Sequence, residues 1–79
     1  MPTEEEQHAF LDCAKQWRFD RVKLYIEANP GYINVQPMGR WSALHQAASA
    51  GDEPMVQWLL DRGADARSRT RDGETPQDI

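Results

Sequence analysis

The chain has 79 residues, of which 39% are hydrophobic and 28% charged, with a net charge of −4 and a single cysteine, Cys13. This composition is typical of one small globular domain and excludes an internal disulfide. We expect no membrane span, because no apolar run approaches the roughly 20 residues required, no secretory signal and no general attraction to nucleic acid. A cytoplasmic or nuclear location follows as an expectation.

Two helices are predicted in the segment 1–31. Thr3 can cap the first helix, since Glu6 follows at the capping-box spacing. Apolar residues at steps of three and four give this helix one buried face. The members of that face are Phe10, Leu11, Cys13, Ala14 and Trp17. The second helix begins near Asp20 and ends at Asn29-Pro30-Gly31, because proline cannot continue a helix. Its apolar side consists of Val22, Tyr25, Ile26 and, as a further candidate, Leu24.

The second half of the chain repeats this pattern. A short helix of small residues is predicted between Ser42 and Gly51, and a longer one between Asp52 and Gly63. When the two halves are overlaid so that Phe10 falls on Leu44, their other apolar positions coincide as well, which indicates a repeat architecture. The further coinciding positions are Cys13-Ala14 and Ala47-Ala48, Val22 and Val56, and Leu24-Tyr25-Ile26 and Trp58-Leu59-Leu60.

The second unit resembles the ankyrin repeat, whose pattern runs roughly D-x-x-G-x-T-P-L-H-x-A-A-x-x-G and then V-V-x-L-L-L-x-x-G-A-D. SALHQAASAG at residues 42–51 and VQWLLDRGAD at residues 56–65 match its two parts, and Asp72, Gly73, Thr75 and Pro76 open a third unit. The resemblance implies an all-α ankyrin-repeat solenoid of helix–turn–helix units with protruding β-turn loops. It divides a single domain, 1–79, into an N-terminal capping repeat 1–34, a central repeat 35–67 and a partial C-terminal repeat 68–79.

The resemblance also implies structural roles for five residues. It has His45 hydrogen-bond Ser42 and nearby backbone so that successive loops stack, while Thr75 caps the third unit. Gly51 permits the turn between paired helices, and Gly63 ends the longer helix in the left-handed conformation. The glycine of the preceding loop is displaced by one position, at Gly39-Arg40, so this hairpin is expected to differ in shape.

No residue pattern points to catalysis. His45 has no good catalytic partner at helical spacing, and phosphate-binding loops, cysteine pairs and metal-binding helix motifs do not occur in the sequence. Cys13 coincides with the small residue Ala47, which favours a buried, inert thiol over a nucleophile. We therefore predict no enzyme within these residues, no cofactor and no metal site.

Trp41 is the leading candidate for partner binding. The resemblance places it at a variable position on the concave side of the repeat, where an exposed tryptophan would be a binding hot spot. The alternative is that Trp41 covers the neighbouring loop or Trp17. The other candidates are Met38 and Arg40 in the same loop, Lys15, Gln16, Ser49 and Ala50 on the first helices of the units, and Arg69, Arg71 and Glu74 in the next loop.

Three arginines suggest a second binding surface. Arg67, Arg69 and Arg71 alternate with Ser68 and Thr70. If this loop is extended, all three arginines point to one side and could receive an acidic peptide or a nucleic-acid phosphate. The simpler alternative is a solvated surface.

The sequence favours a non-catalytic protein–protein interaction module that binds a partner on its concave face and loops. Its partner would be another protein, with self-association as a further option and nucleic acid less favoured. One alternative is the substrate-recruiting arm of a larger enzyme, for example of the ubiquitin pathway. Another is an anion- or nucleic-acid-binding module that uses Arg67, Arg69 and Arg71. Because at least three stacked repeats are usually needed for stability, we expect a longer array or support from a partner.

Overall fold

The computed structural model describes residues 1–79 and contains two helix pairs and no β-strand. The helices are α1 (Glu4–Lys15), α2 (Phe19–Ala28), α3 (Ala43–Ala50) and α4 (Glu53–Asp61). Single 3-10 turns lie at Pro30–Tyr32, Pro37–Gly39 and Pro76–Asp78. This confirms the predicted all-α architecture of helix–turn–helix units. None of the four helices is both long and apolar enough to cross a membrane.

Side-chain caps begin three of the four helices. The hydroxyl of Thr3 accepts from the backbone N–H of Glu6 at 3.1 Å, and the carboxylate of Glu6 accepts from the N–H of Thr3 at 2.8 Å. This is the capping box that the sequence predicts. Ser42 caps α3 and Asp52 caps α4, whereas α2 begins at Arg18 without a side-chain cap. Local hydrogen bonds therefore fix where most helices begin.

The first helix of each pair ends in the same left-handed turn, although the residues differ. Gly51 follows α3 with a φ of 70°, and Trp17, which the overlay of the two halves places on Gly51, follows α1 with a φ of 59°. A residue other than glycine in this conformation costs roughly 1–2 kcal/mol. Trp17 is also exposed, so the prediction that it belongs to the buried face of α1 is wrong. The helix ends before reaching it, and the left-handed turn directs its side chain to solvent.

An aromatic cluster packs within the first helix pair, and Lys23 of this pair contacts the Trp58 ring of the second pair. The ring of Phe10 lies 5.6 Å from that of Tyr25 and 4.9 Å from that of Tyr32. On α4, the Trp58 ring has the Arg62 guanidinium carbon 3.7 Å from its centre and the Lys23 ammonium of α2 at 5.4 Å. Such contacts contribute about 0.5–1 kcal/mol at partly exposed sites.

Two core predictions are corrected by the structure. Leu24 is 67% exposed, because it points away from the side of α2 that buries Val22 and Ile26. Cys13 is half-buried and packs against the core, so it is not the fully buried thiol that its match with Ala47 predicts. The reason is position in the stack: α3 lies between α1 and the turn at Pro76–Asp78, whereas α1 has a helix pair on only one side.

Equivalent positions in the two helix pairs differ in how deeply they are buried. Four equivalent positions are at most 2% exposed in the first pair, namely Phe10, Ala14, Val22 and Ile26. Their equivalents in the second pair are Leu44, Ala48, Val56 and Leu60. Only Leu44 is buried in this second set, and all four line an open groove of about 200 Å³ beside Pro76. The second helix pair thus covers the first, while its own equivalent face stays partly open.

Candidate functional site

The loop before α3, residues 36–41, has an unusual backbone; we call it the first finger. Met38 has a φ of 54° and Gly39 a φ of 74°, so two successive residues are left-handed. In the loop before the third unit only Gly73 has a positive φ, of 81°, so the two loops differ in shape. A left-handed methionine persists only where the surrounding contacts hold it. The Met38 side chain itself is 71% exposed and free to meet a partner.

The first finger is tied to the next loop, residues 66–74, which we call the second finger. The guanidinium of Arg71 donates a hydrogen bond to the carbonyl of Met38. The side-chain amide of Gln36 donates to the carbonyl of Arg69 at 2.8 Å and to that of Arg40 at 3.3 Å. These bonds use backbone carbonyls of both fingers, so they stabilise the finger backbones against each other.

Arg40 ties the first finger to α1. Its guanidinium lies 3.0 Å from a carboxylate oxygen of Asp12, 3.0 Å from Nδ1 of His8 and 3.3 Å from the carbonyl of His8. Because a guanidinium can only donate, Nδ1 of His8 must accept. Arg40, predicted as a partner-facing residue, therefore also orients the finger relative to the helix.

Trp41 is half-buried, which lies between the exposed hot spot and the covered position that the sequence left open. Its aromatic neighbour is His45, with ring centres 6.1 Å apart, rather than Trp17. The indole also lines an open groove of about 380 Å³ together with Lys15, Arg40 and Gln46. The partly buried indole thus packs near His45 of α3, and its exposed part lines the groove.

The groove gathers three of the predicted binding residues, Lys15, Arg40 and Trp41, and leaves the others outside its lining. Gln46 was missed by the sequence analysis. Helical spacing was the available signal, since Gln46 lies three and four residues before Ser49 and Ala50 and therefore shares their side of α3. The candidates outside the lining are Met38, Gln16, Ser49, Ala50, Arg69, Arg71 and Glu74.

A buried hydrogen-bond network centred on His45, the aromatic neighbour of Trp41, supports the groove. Nδ1 of His45 lies 2.7 Å from the hydroxyl of Ser42, and its Nε2 lies 3.0 Å from the carbonyl of Glu74. The contact between His45 and Ser42 is the one that the resemblance implies. Glu74 takes part through its backbone, so this residue contributes to the scaffold in addition to any role at the surface.

A second link between loops was missed by the sequence analysis. The side-chain amide of Asn34 donates to the carbonyl of Gly63 at 3.1 Å and accepts from the backbone N–H of Asp65 at 2.7 Å. The repeat pattern quoted above does not extend over Asn34, and the contacts of the stacked loops reveal this role. Of the His, Cys, Asp and Glu side chains, no group of three or more is placed to hold a metal ion.

The three-arginine surface depends on an extended second finger, and that premise is wrong. Arg67 lies in a turn, where its backbone N–H donates to the Asp65 carboxylate at 2.8 Å. Arg71 lies in another turn, in which the backbone N–H of Gly73 donates to the carbonyl of Thr70 at 2.9 Å. The Arg71 guanidinium donates a hydrogen bond to the carbonyl of Met38, and the Arg69 guanidinium lies 3.4 Å from the carbonyl of Gly73. These turns interrupt the extended backbone that would direct all three arginine side chains to one side.

Comparison with known families agrees with this architecture. The family model described as ankyrin repeats (many copies) matches residues 33–79. The chain belongs to the ankyrin-repeat family. Ankyrin repeats are generally protein-interaction modules.

Curated relatives of this ankyrin-repeat chain differ widely in kind. It is 44% identical over 62 residues to the BTB/POZ domain and ankyrin repeat-containing protein NH5.2 of Oryza sativa subsp. japonica, covering 76% of this chain and 12% of that protein. It is 36% identical over 67 residues to alpha-latroinsectotoxin-Lt1a of Latrodectus tredecimguttatus, covering 85% and 5%. It is 29% identical over 72 residues to the 2-5A-dependent ribonuclease of Homo sapiens, covering 91% and 10%.

The ankyrin-repeat chain spans only a small part of these relatives, at most 12% of their length. No solved structure matches it significantly. Since the relatives include a toxin and a ribonuclease, the shared repeat does not by itself fix a function. Function has to be argued from the residues of the groove.

Proposed function

We propose that this ankyrin-repeat chain binds another protein at the groove around Trp41, without catalysing a reaction. The observation that carries the proposal is the position of Trp41, which packs near His45 and lines a groove together with Lys15, Arg40 and Gln46. A tryptophan held in this way offers a large apolar surface and loses little rotamer freedom on binding. Interface hot spots are enriched in such residues.

The rigidity of the first finger supports the same proposal. Arg40 holds the finger on α1, and Arg71 and Gln36 hold it on the second finger. A loop that is ordered before binding has less conformational entropy to lose when the partner arrives. The left-handed Met38 at its tip is a strained residue of the kind that clusters at functional sites.

Selection from a random peptide library displayed on phage tests this proposal. The selected peptides are measured against the wild type, Trp41→Ala and Trp17→Ala, the last being an exposed tryptophan outside the groove. We expect Trp41→Ala to weaken binding at least about tenfold, equivalent to ~1.4 kcal/mol, and Trp17→Ala to leave it unchanged. Circular dichroism checks that each variant is folded. If all selected peptides bind Trp41→Ala as well as they bind the wild type, the proposal is wrong.

A second candidate function is the recruiting arm of a larger enzyme. Its support is the match to the 2-5A-dependent ribonuclease, in which the aligned region covers 10% of that protein. In this case the groove would serve the same binding role within a larger polypeptide. Sequencing the mature transcript would decide, since a catalytic domain in the same reading frame favours this candidate and its absence contradicts it.

The arginine-based alternative has less structural support. Arg69 and Arg71 already donate hydrogen bonds to backbone carbonyls of the fingers.

As part of the first proposal, we also propose a cytoplasmic or nuclear location, with which a single unpaired cysteine is compatible. Fluorescence microscopy of the tagged chain in its native cell tests the location.

A further inference from the structure

We infer that the groove around Trp41 is specific for an acidic peptide segment, with an apolar side chain of the partner on Trp41 and a carboxylate at Lys15. This inference rests on the proposed function and adds the chemical class of the partner. The argument depends on the charge of the groove, on the unused hydrogen-bonding groups in it and on the apolar surface of the indole.

The charge of the groove is opposite to that of the whole chain. Both ionised side chains that line it, Lys15 and Arg40, are cationic, whereas the chain carries a net charge of −4. The carboxylate of Asp12 lies 3.0 Å from the guanidinium of Arg40, and the two charges offset each other. A local field of this sign attracts an acidic segment and disfavours a basic one.

Lys15 is the free cation of the groove. Its ammonium makes no hydrogen bond or ion pair within the chain, in contrast to Arg40. Its position in the last turn of α1 suits the helix dipole, which accounts for a cation there but not for its place in the groove. A partner's carboxylate at this point would gain a charge-assisted hydrogen bond without breaking one.

Arg40 and Gln46 add hydrogen-bonding groups. Arg40 has five N–H donors, and its three contacts with His8 and Asp12 leave others for a partner. The half-buried Gln46 amide has no partner within the chain and can both donate to and accept from a peptide backbone. These groups, next to the indole of Trp41, fit a peptide better than an inorganic anion.

A nucleic acid fits the groove less well than an acidic peptide. A phosphate backbone presents closely spaced charges that need an array of cations, and the groove offers two cations with Asp12 beside them. We therefore commit to the peptide and treat an oligonucleotide as an outcome of the test.

The test uses the phage-selected peptides whose binding depends on Trp41. We expect them to be enriched in Asp and Glu relative to the unselected library. The tightest peptide is synthesised, and its affinity is measured by isothermal titration calorimetry against the wild type, Lys15→Glu and Lys15→Met. The matched control is Arg67→Glu, because Arg67 is exposed, its side chain has no partner and it lies in the second finger.

We expect Lys15→Glu to weaken binding by about tenfold or more, Lys15→Met to weaken it less, and Arg67→Glu to change it by less than about twofold. Binding by the wild type should also weaken as salt rises from about 50 to about 200 mM. Circular dichroism and urea unfolding check the fold of each variant, and Lys15→Met keeps the test informative if Lys15→Glu unfolds.

Three results separate the two proposals. If peptides depend on Trp41 but are neutral or basic, or bind Lys15→Glu with unchanged affinity, the acidic-segment inference is wrong and the proposed function stands. If no selected peptide depends on Trp41, the proposed function itself fails. If a single-stranded oligothymidylate displaces the acidic peptide at equal concentration, the groove binds nucleic acid, and the inference is overturned.

Discussion

Nε2 of His45 lies 3.0 Å from the backbone carbonyl of Glu74, across a sequence separation of 29 residues. Because a carbonyl can only accept, Nε2 carries the proton, and Nδ1 accepts from the backbone N–H of Ser42 at 3.2 Å. The side chain of His45 is completely buried. One residue therefore joins the first turn of α3 to the loop that precedes the third unit.

Replacement of His45 should destabilise the fold. In His45→Leu, the carbonyl of Glu74 and the N–H of Ser42 lose their partner in a buried site, so the free energy of unfolding should fall by about 2–3 kcal/mol. Urea denaturation followed by circular dichroism measures this change. The control is Ser49→Ala, at an exposed position of the same helix, which should stay within about 0.5 kcal/mol of the wild type. Equal stability of the two variants would contradict the network.

Substitutions at the two left-handed helix ends, Trp17 and Gly51, should have opposite effects on stability. Trp17→Gly removes the steric cost of a bulky residue at a φ of 59°, and should raise the free energy of unfolding by roughly 1 kcal/mol. Gly51→Ala introduces the same cost at a φ of 70° and should lower it by a similar amount, although a methyl group there meets no atom within 4 Å. Thermal unfolding of both variants checks the pair. A loss of stability in Trp17→Gly would show that the exposed indole matters more than the backbone.

Equivalent residues in the two helix pairs should differ in their importance for stability. Ile26 is 2% exposed beneath the second pair, and Ile26→Ala should cost about 2–5 kcal/mol. Leu60, its equivalent, is half-buried at the open face, and Leu60→Ala should cost roughly half as much. Urea midpoints at one temperature give the comparison. If both substitutions cost the same, the open face is covered in solution.

The capping box at α1 predicts a dependence of stability on pH. The backbone N–H and then the hydroxyl of Thr3 hold the pKa of Glu6 below its usual value of 4.5. A carboxylate with a lowered folded-state pKa stabilises the fold above the unfolded-state pKa, and this contribution is lost as pH falls through the folded-state pKa. Glu6→Gln keeps the cap but does not titrate, so its urea midpoint should fall less than that of the wild type between about pH 6 and about pH 3. Parallel declines would mean that the cap does not contribute in solution.

Asp78 offers an independent check of the same effect at the third unit. The backbone N–H and the hydroxyl of Thr75 hold the pKa of Asp78 below its usual value of 3.8. Asp78→Asn should therefore also reduce the acid sensitivity of the fold, and combining it with Glu6→Gln should reduce it further, because the two sites do not share partners. Chemical shifts of the two carboxyl carbons, followed by NMR against pH, measure both pKa values directly. Values at or above those of model peptides would contradict the capping geometry.

The sequence alone determined where α1, α3 and α4 begin and where α3 ends. Thr3 with Glu6, the cap at Ser42 and the glycine at position 51 act over three or four residues, so their consequences follow from local spacing, while the contact between Ser42 and His45 was implied by the family resemblance. The overlay of the two halves likewise revealed the paired units. It also placed Trp17 on Gly51, a signal for a left-handed tryptophan that the helical pattern concealed.

The tertiary structure alone decided which side chains share the groove and how exposed each one is. Arg40 reaches His8 and Asp12 across 32 and 28 residues, and Arg71 reaches Met38 across 33. Such pairings depend on the stacking of one unit on another, which no local pattern encodes. For the same reason, Cys13 was assigned too much burial, whereas Leu24 was assigned too much because it lies on the side of α2 opposite Val22 and Ile26. Spacing along a helix predicts which residues share a face, but only the neighbouring helices determine how far that face is covered.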